Sequence, residues 1–160
     1  MTETPNHLII VPCGRSKIWD SRPSCGPTAA RDAYTGVPFV LNRAYAERFG
    51  NAWVVLSAKY GLIAPDFAIP GPYEVTFKRP ATGPVSVDTL REQIRMLGLN
   101  RFGVVVGLGG KEYRAAIEAA FAGSQPRLVF PFAGLPIGKS MQATKRAIER
   151  GNPGFEVVAE

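Results

Sequence analysis

A chain of 160 residues with 46% hydrophobic and 20% charged side chains is long enough to bury a full core and too apolar to be a disordered polymer. No apolar run approaches the roughly 20 residues that span a bilayer. The opening Met1-Thr2-Glu3-Thr4-Pro5 has neither the basic nor the apolar part of a signal peptide. The expectation is therefore a soluble, cytoplasmic protein with no membrane partner. A net charge of +6 favours a phosphate-bearing partner, nucleotide or nucleic acid, over a neutral one, and leaves the oligomeric state open.

The chemistry available is narrow. One histidine, His7, and two cysteines, Cys13 and Cys25, exclude histidine triads and zinc sites of the usual spacing. No metal and no cofactor is indicated. Residues 1–6 read as a flexible tail, with His7 still ahead of the first strand.

Leu8-Ile9-Ile10-Val11 predicts a buried first strand, stopped by Pro12. Cys13-Gly14-Arg15-Ser16-Lys17 follows as a tight loop. A positive φ at Gly14 would let backbone N–H groups converge on an anion beside Ser16 and Lys17. The competing reading is a plain turn of exposed charges. Thr28 is placed as the cap of a short helix through Asp32, which carries Arg31. A second helix begins at Pro38, with Phe39, Leu41, Ala44, Tyr45, Ala46 and Phe49 at helical spacing and Gly50 at its end.

Trp53-Val54-Val55-Leu56 predicts the second strand, and its end, Ser57-Ala58-Lys59-Tyr60-Gly61, turns polar at once. Residues 62–86 contain five prolines and no helical period, which suggests a lid or binding loop. Phe67, Ile69, Tyr73, Val75 and Phe77 would pack it down, with Asp66, Tyr73 and Glu74 as its polar groups. Ser86 or Asp88 starts the next helix, whose buried face is Leu90, Ile94 and Leu97 and whose end is Gly98. Phe102–Val106 is the third strand. Gly107-Leu108-Gly109-Gly110 leads into a helix from Lys111 to Ala122, its N-terminus free to face an anion. The glycine spacing does not fit the dinucleotide fingerprint, so NAD is not expected. Leu128–Phe130 gives a fourth strand, and residues 131–139 form a rigid loop ending in Lys139. The last helix runs from Ser140 to Arg150, with a short edge strand at Phe155–Val158.

Strands alternating with helices predict a single α/β domain over residues 1–160. It is a three-layer fold with a mostly parallel sheet of four to five strands and helices on both faces. Ligands in such sheets bind at the carboxyl ends of the strands. Lys17, Lys59, Lys111 and Lys139 all follow strand ends, so a shared phosphate-binding rim is expected, with Gly14, Ser16, Arg31, Ser57, Gly109 and Gly110 beside it. Four independent solvated lysines is the alternative. Asp66 or Glu74 would serve as general base for a water next to the held phosphate. Tyr60 or Tyr73 would stack on a base, or simply pack. Cys13 stands at a strand end among basic residues, as a nucleophile would, yet has no histidine partner and reads more simply as structural.

Three segments carry a resemblance. They are Pro12-Cys13-Gly14-Arg15-Ser16-Lys17, then Ala30-Arg31-Asp32-Ala33-Tyr34-Thr35, and Leu56-Ser57-Ala58-Lys59-Tyr60-Gly61-Leu62-Ile63 followed by Gly71-Pro72-Tyr73. Together they resemble a bacterial and phage domain family of unknown function, DUF6884. In strand-end motifs alone the chain is also remotely similar to the YaaA-like proteins. That similarity implies a nucleic-acid or nucleobase role, including DNA binding or DNA modification, without fixing a reaction. The functional expectation is a small α/β enzyme, a hydrolase of N-glycosidic or phosphate-ester bonds, acting on a nucleotide or on a base in nucleic acid. The rivals are a non-catalytic DNA- or nucleotide-binding module and an enzyme of phosphorylated metabolites.

Overall fold

A computed structural model describes residues 6–155. Its organising strand is β1 (His7–Pro12), which is buried on both faces. It is flanked by β3 (Ala52–Ser57) and β6 (Val104–Gly107), both parallel to it. β4 (Gly61–Ile63) turns back antiparallel on β3, and β7 (Arg127–Val129) runs parallel to β6. The order is β4-β3-β1-β6-β7, one mostly parallel sheet of five strands.

Alternation along β1 sorts its side chains into two cores. Ile9 and Val11 join Tyr45, Ala46 and Ala147, while Leu8 and Ile10 join Leu90, Ile94 and Ile117. The first core lies under α3 (Val37–Phe49) and α6 (Ile137–Arg150). The second lies under α4 (Val87–Leu97) and α5 (Lys111–Phe121). Helices thus cover both faces, as the alternating pattern predicts. Each fully buried aliphatic side chain of β1 contributes about 2 kcal/mol by leaving water. Tyr45 and Phe49, four apart on α3, pack their rings at 4.9 Å, in agreement with their reading as core.

The crossover from β1 to β3 passes to one side of β1, and the chain then returns past it to β6 on the other. The carboxyl end of β1 is therefore the point where the strand order reverses, which is where a crevice opens in such folds. The connection from β1 includes α1 (Ile18–Ser21), β2 (Thr28–Ala29) and α2 (Ala30–Ala33).

Several local expectations are corrected. His7 does not lie ahead of the first strand: it opens β1, is 8% exposed, and donates its N–H to Asn51 Oδ1. Pairing with Val104 of β6 draws the strand one residue further back than its apolar run. Thr28 caps no helix, because it is paired as β2 with Ile69 of β5 (Ala68–Ile69), and its hydroxyl donates to the Gly26 carbonyl. Residues 62–86 are not wholly irregular, since β4 and β5 lie within or across their first part and a 3-10 turn occupies Pro80–Thr82. Leu97 is 47% exposed rather than buried. The left-handed turn at Gly98 delivers Leu99 to the core in its place. Ser86 does cap α4, accepting from the Thr89 N–H. Lys139 lies inside the first turn of α6, because that helix starts at Ile137. Of the expected edge strand only Phe155 is described, in a bend. Residues 1–5 of the expected tail lie outside the described range.

No helix among the described residues is long and apolar enough to cross a membrane.

Candidate functional site

Four pieces of chain meet beyond the carboxyl ends of β1, β3 and β6. Cys13 continues the β1 ladder through its N–H to the Leu56 carbonyl at 2.9 Å. The segment then bends inward. The Thr35 N–H bonds the Ser16 carbonyl, Lys17 bridges Tyr34, and the Lys17 N–H donates to Asp20 Oδ2 at 2.9 Å. Those bonds fix the backbone so that the Lys17 side chain runs inward, and the residue is only 8% exposed.

The wall it enters is aromatic. Lys17 Nζ stands 4.5 Å from the centre of the Tyr73 ring and 5.9 Å from that of Tyr34. It donates to the Arg15 carbonyl at 3.2 Å. Asp20 and Glu74 act on it through space without forming an ion pair. Burial holds this ammonium below its ordinary 10.5, an effect partly offset by Cys13, Asp20 and Glu74.

Behind Lys17 lies a buried hydroxyl chain. The Ser57 oxygen accepts from the Lys59 and Tyr60 backbone N–H groups at 3.2 and 3.1 Å. With both lone pairs used, its O–H is left to donate to Tyr73 at 2.8 Å, and the Tyr73 hydroxyl in turn bonds that of Tyr34. Burial pushes the Tyr73 and Tyr34 hydroxyls above their ordinary range, so both stay protonated at neutral pH. Tyr73→Phe should therefore cost about 2 kcal/mol, because Ser57 and Tyr34 both lose a buried partner. Urea unfolding checks this, and Tyr34→Phe added to Tyr73→Phe should recover part of the loss. A neutral Tyr73→Phe would remove the hydroxyl chain as a structural element.

On the other side, α5 contributes Tyr113, whose hydroxyl meets Cys13 Sγ at 3.3 Å. Gly109 has a φ of 112°, and a Cβ there would stand 2.9 Å from Pro12 Cγ. Only glycine lets the β6–α5 loop press this closely on the end of β1. Burial, followed by Cys13, raises the Tyr113 hydroxyl. Phe77 packs edge-on against the Tyr113 ring at 5.1 Å and brings residues 72–82 over the top. That segment is held by the Thr82 hydroxyl, which accepts from the Thr76 N–H, and by the Val85 N–H on the Ala58 carbonyl.

Between these pieces is a cleft of about 730 Å³, within the range of small-molecule sites. Its floor includes Cys13, Lys17, Tyr73 and Tyr113, and its exposed mouth carries Arg15, Lys78 and Arg79 with Asp20 and Glu74. Cations outnumber carboxylates, which favours an anionic ligand. Among the described residues no group of three or more His, Cys, Asp and Glu side chains is placed to hold a metal ion.

The profile of a family of unknown function, DUF6884, matches residues 8–146. The chain belongs to that family. An uncharacterized protein of Bacillus subtilis (strain 168), YfjM, is 38% identical over 143 residues, covering 89% of this chain and 95% of YfjM. The crystal structure of AF0587, a protein of unknown function, matches with a TM-score of 0.42 and 16% identity, over 89% of this chain and 44% of that one. This chain thus spans less than half of AF0587.

In this DUF6884 chain the residues singled out from sequence divide clearly. Cys13, Gly14, Lys17, Tyr73 and Glu74 line the cleft. Ser57 is fully buried behind it, and the half-buried Tyr60 ring stands roughly perpendicular to that of Tyr73, with centroids 5.5 Å apart. Lys59 is exposed, with Nζ 5.8 Å from the centre of the Tyr73 ring. Ser16, Asp66, Lys111 and Lys139 are exposed and outside the lining. Arg31 pairs with Asp32 at 3.6 Å on α2. Gly109 and Gly110 shape the β6–α5 turn without lining the cleft. Gly14 does not take a positive φ, so the expected anion nest is not formed there. Positive φ is taken instead at Gly61, Gly83 and Gly109.

Sequence reasoning did not select Tyr113, Lys78, Arg79 or Gln93. Lys78-Arg79 beside Pro80 was a legible cationic step in a proline-rich loop. Tyr113 and Gln93 lie on ordinary helices, and only the tertiary fold gives them a role. Gln93 acts as a surrogate strand: its Oε1 accepts from the Leu62 N–H at 2.8 Å and its Nε2 donates to the Tyr60 carbonyl at 2.9 Å.

Proposed function

We propose that this chain is a small enzyme that acts on a nucleotide, or on a base and its sugar in nucleic acid, and hydrolyses the N-glycosidic bond. The observation that carries this reading is Lys17, 8% exposed on the floor of a cleft whose mouth bears Arg15, Lys78 and Arg79. Burying an ammonium costs folding free energy unless polar partners replace its water. A lysine kept there without an ion-pair partner is suited to a ligand that brings electron-rich atoms to it. The exposed cations suit phosphate oxygens. That arrangement leaves phosphate at the mouth and sugar and base inside, which favours N-glycosidic over phosphate-ester cleavage. Of the two carboxylates at the mouth, Asp20 is engaged by the Lys17 N–H, which leaves Glu74 to move a proton to or from the leaving base. Asp66, outside the lining, is the weaker candidate.

The test is incubation with nucleoside mono-, di- and triphosphates and with oligonucleotides, followed by measurement of free base and free phosphate. Base release from at least one substrate is expected, with KM raised about tenfold by Arg79→Ala in a folded protein. Steep salt dependence for oligonucleotides against a shallow one for mononucleotides would identify the polymer as substrate. Tight binding without any release would move the reading to a nucleotide- or nucleic-acid-binding module. Neither binding nor release would overturn it.

A further inference from the structure

Lys17 has a second property that phosphate binding does not require. It is not at the mouth, where a solvated cation would meet a phosphate, but on the floor, against the ring of Tyr73. One acceptor, the Arg15 carbonyl at 3.2 Å, receives one of its protons. Cys13, Tyr113 and Glu74 line the same cleft. A lysine becomes a nucleophile when it is desolvated, and Lys17 is 8% exposed in the lining of this cleft. We infer that Lys17 forms a transient imine with the C1 aldehyde of a phosphorylated sugar seated in this cleft. This rests on the proposed function, because hydrolysis of an N-glycosidic bond leaves a sugar whose C1 opens to an aldehyde.

The step balances without a further reactant. The neutral amine nitrogen attacks C1, an N–C bond forms, and the carbonyl electron pair takes up a proton to become a hydroxyl. Loss of that hydroxyl as water yields the protonated imine. Water adding back to C1 releases the aldehyde and restores the amine. Glu74, at the edge of the same cleft, is the group able to carry the proton in each direction. The lowering of the Lys17 ammonium by burial acts in the same sense, enlarging the neutral fraction available at a given pH.

The shared ligand chemistry, a phosphorylated open-chain sugar, has two sources: a free pentose 5-phosphate, or the abasic sugar left in a nucleic acid. Treating the full chain with 2-deoxyribose 5-phosphate, or with an abasic-site oligonucleotide, in the presence of borohydride converts an imine to a stable secondary amine. Peptide mass mapping then locates it. A borohydride-dependent adduct on Lys17 is expected, about tenfold above that on any other lysine. Its pH midpoint should lie below that of surface lysines, it should be absent from Lys17→Arg and Lys17→Met, and it should be retained in Lys145→Arg. Preference for the oligonucleotide or for the free sugar phosphate identifies the source. Circular dichroism on both Lys17 variants separates loss of the amine from loss of the fold.

Adducts spread evenly over surface lysines, or undiminished in Lys17→Arg, would overturn the inference. If calorimetry shows nucleotides and sugar phosphates binding but no adduct forms, the imine is wrong and the nucleotide reading survives. If Lys17 is trapped by glyceraldehyde while no phosphorylated ligand binds, the nucleotide reading falls and the reactivity of Lys17 stands.

Discussion

Lys17→Met is expected to lose about 100-fold in affinity for a nucleotide ligand, or about 2.7 kcal/mol, while melting at or above the wild-type temperature. Methionine keeps an unbranched stem against the Tyr34 and Tyr73 rings and removes the cost of burying a charge without an ion-pair partner. The gain should be about 1 kcal/mol, or about 3 °C for a domain of this size. The pH dependence has a definite sign. The folded state releases the Lys17 proton at lower pH than the unfolded chain, whose ordinary value is 10.5. Between those values the unfolded chain binds more protons, so wild-type stability climbs with pH across that window. Methionine lacks this slope, so the variant's advantage is widest near neutrality and narrows in alkaline buffer. Calorimetric melts of both proteins across pH, with ligand titrations at neutral pH, read both effects. Loss of stability together with unchanged affinity would make Lys17 an ordinary structural residue.

Gly61→Ala should be the costlier change for the fold, at about 3 kcal/mol, or about 10 °C. Gly61 sits at a φ of 79°, and a Cβ there would lie 2.1 Å from Gln93 Oε1. The glutamine side chain can swing away, but it then abandons the Leu62 N–H and the Tyr60 carbonyl. Leu62 is 4% exposed, so water does not readily replace the lost bond. Gln93→Ala alone should cost about 2 kcal/mol for the same two groups. The double variant should cost clearly less than the sum, because the second change removes what the first displaces. Fully additive costs would show that the two positions do not share this contact.

The layer structure was legible because it depends on short-range patterning. Leu8–Val11 and Val104–Val106 are apolar on both faces, and only a central parallel strand buries both. The position of the cleft at the strand carboxyl ends followed from topology alone. Which side chains turn into the crevice did not. Lys17 and Lys139 look alike in sequence, each following a glycine-containing loop, yet one is held inward by backbone bonds to Tyr34 and Asp20 and the other opens an exposed helix. The hairpin at Gly61 was missed for a related reason. Leu62-Ile63 reads in sequence as the start of a proline-rich loop, but pairing of Leu56 with Leu62 is decided by the long-range partner, including Gln93 from α4. Glu74 and Asp66 were indistinguishable as carboxylates of one loop. Pairing of β5 with β2 pins the chain between them and leaves only Glu74 at the cleft.

The site assignment is tested most directly by a crystal structure of the chain soaked with a nucleoside monophosphate. Density should fill the cleft, with phosphate at Arg15, Lys78 and Arg79 and the sugar reaching Lys17 beside Tyr73. A nucleotide ordered instead at Lys111, Lys139 or Asp66, with the cleft left to solvent, would contradict it.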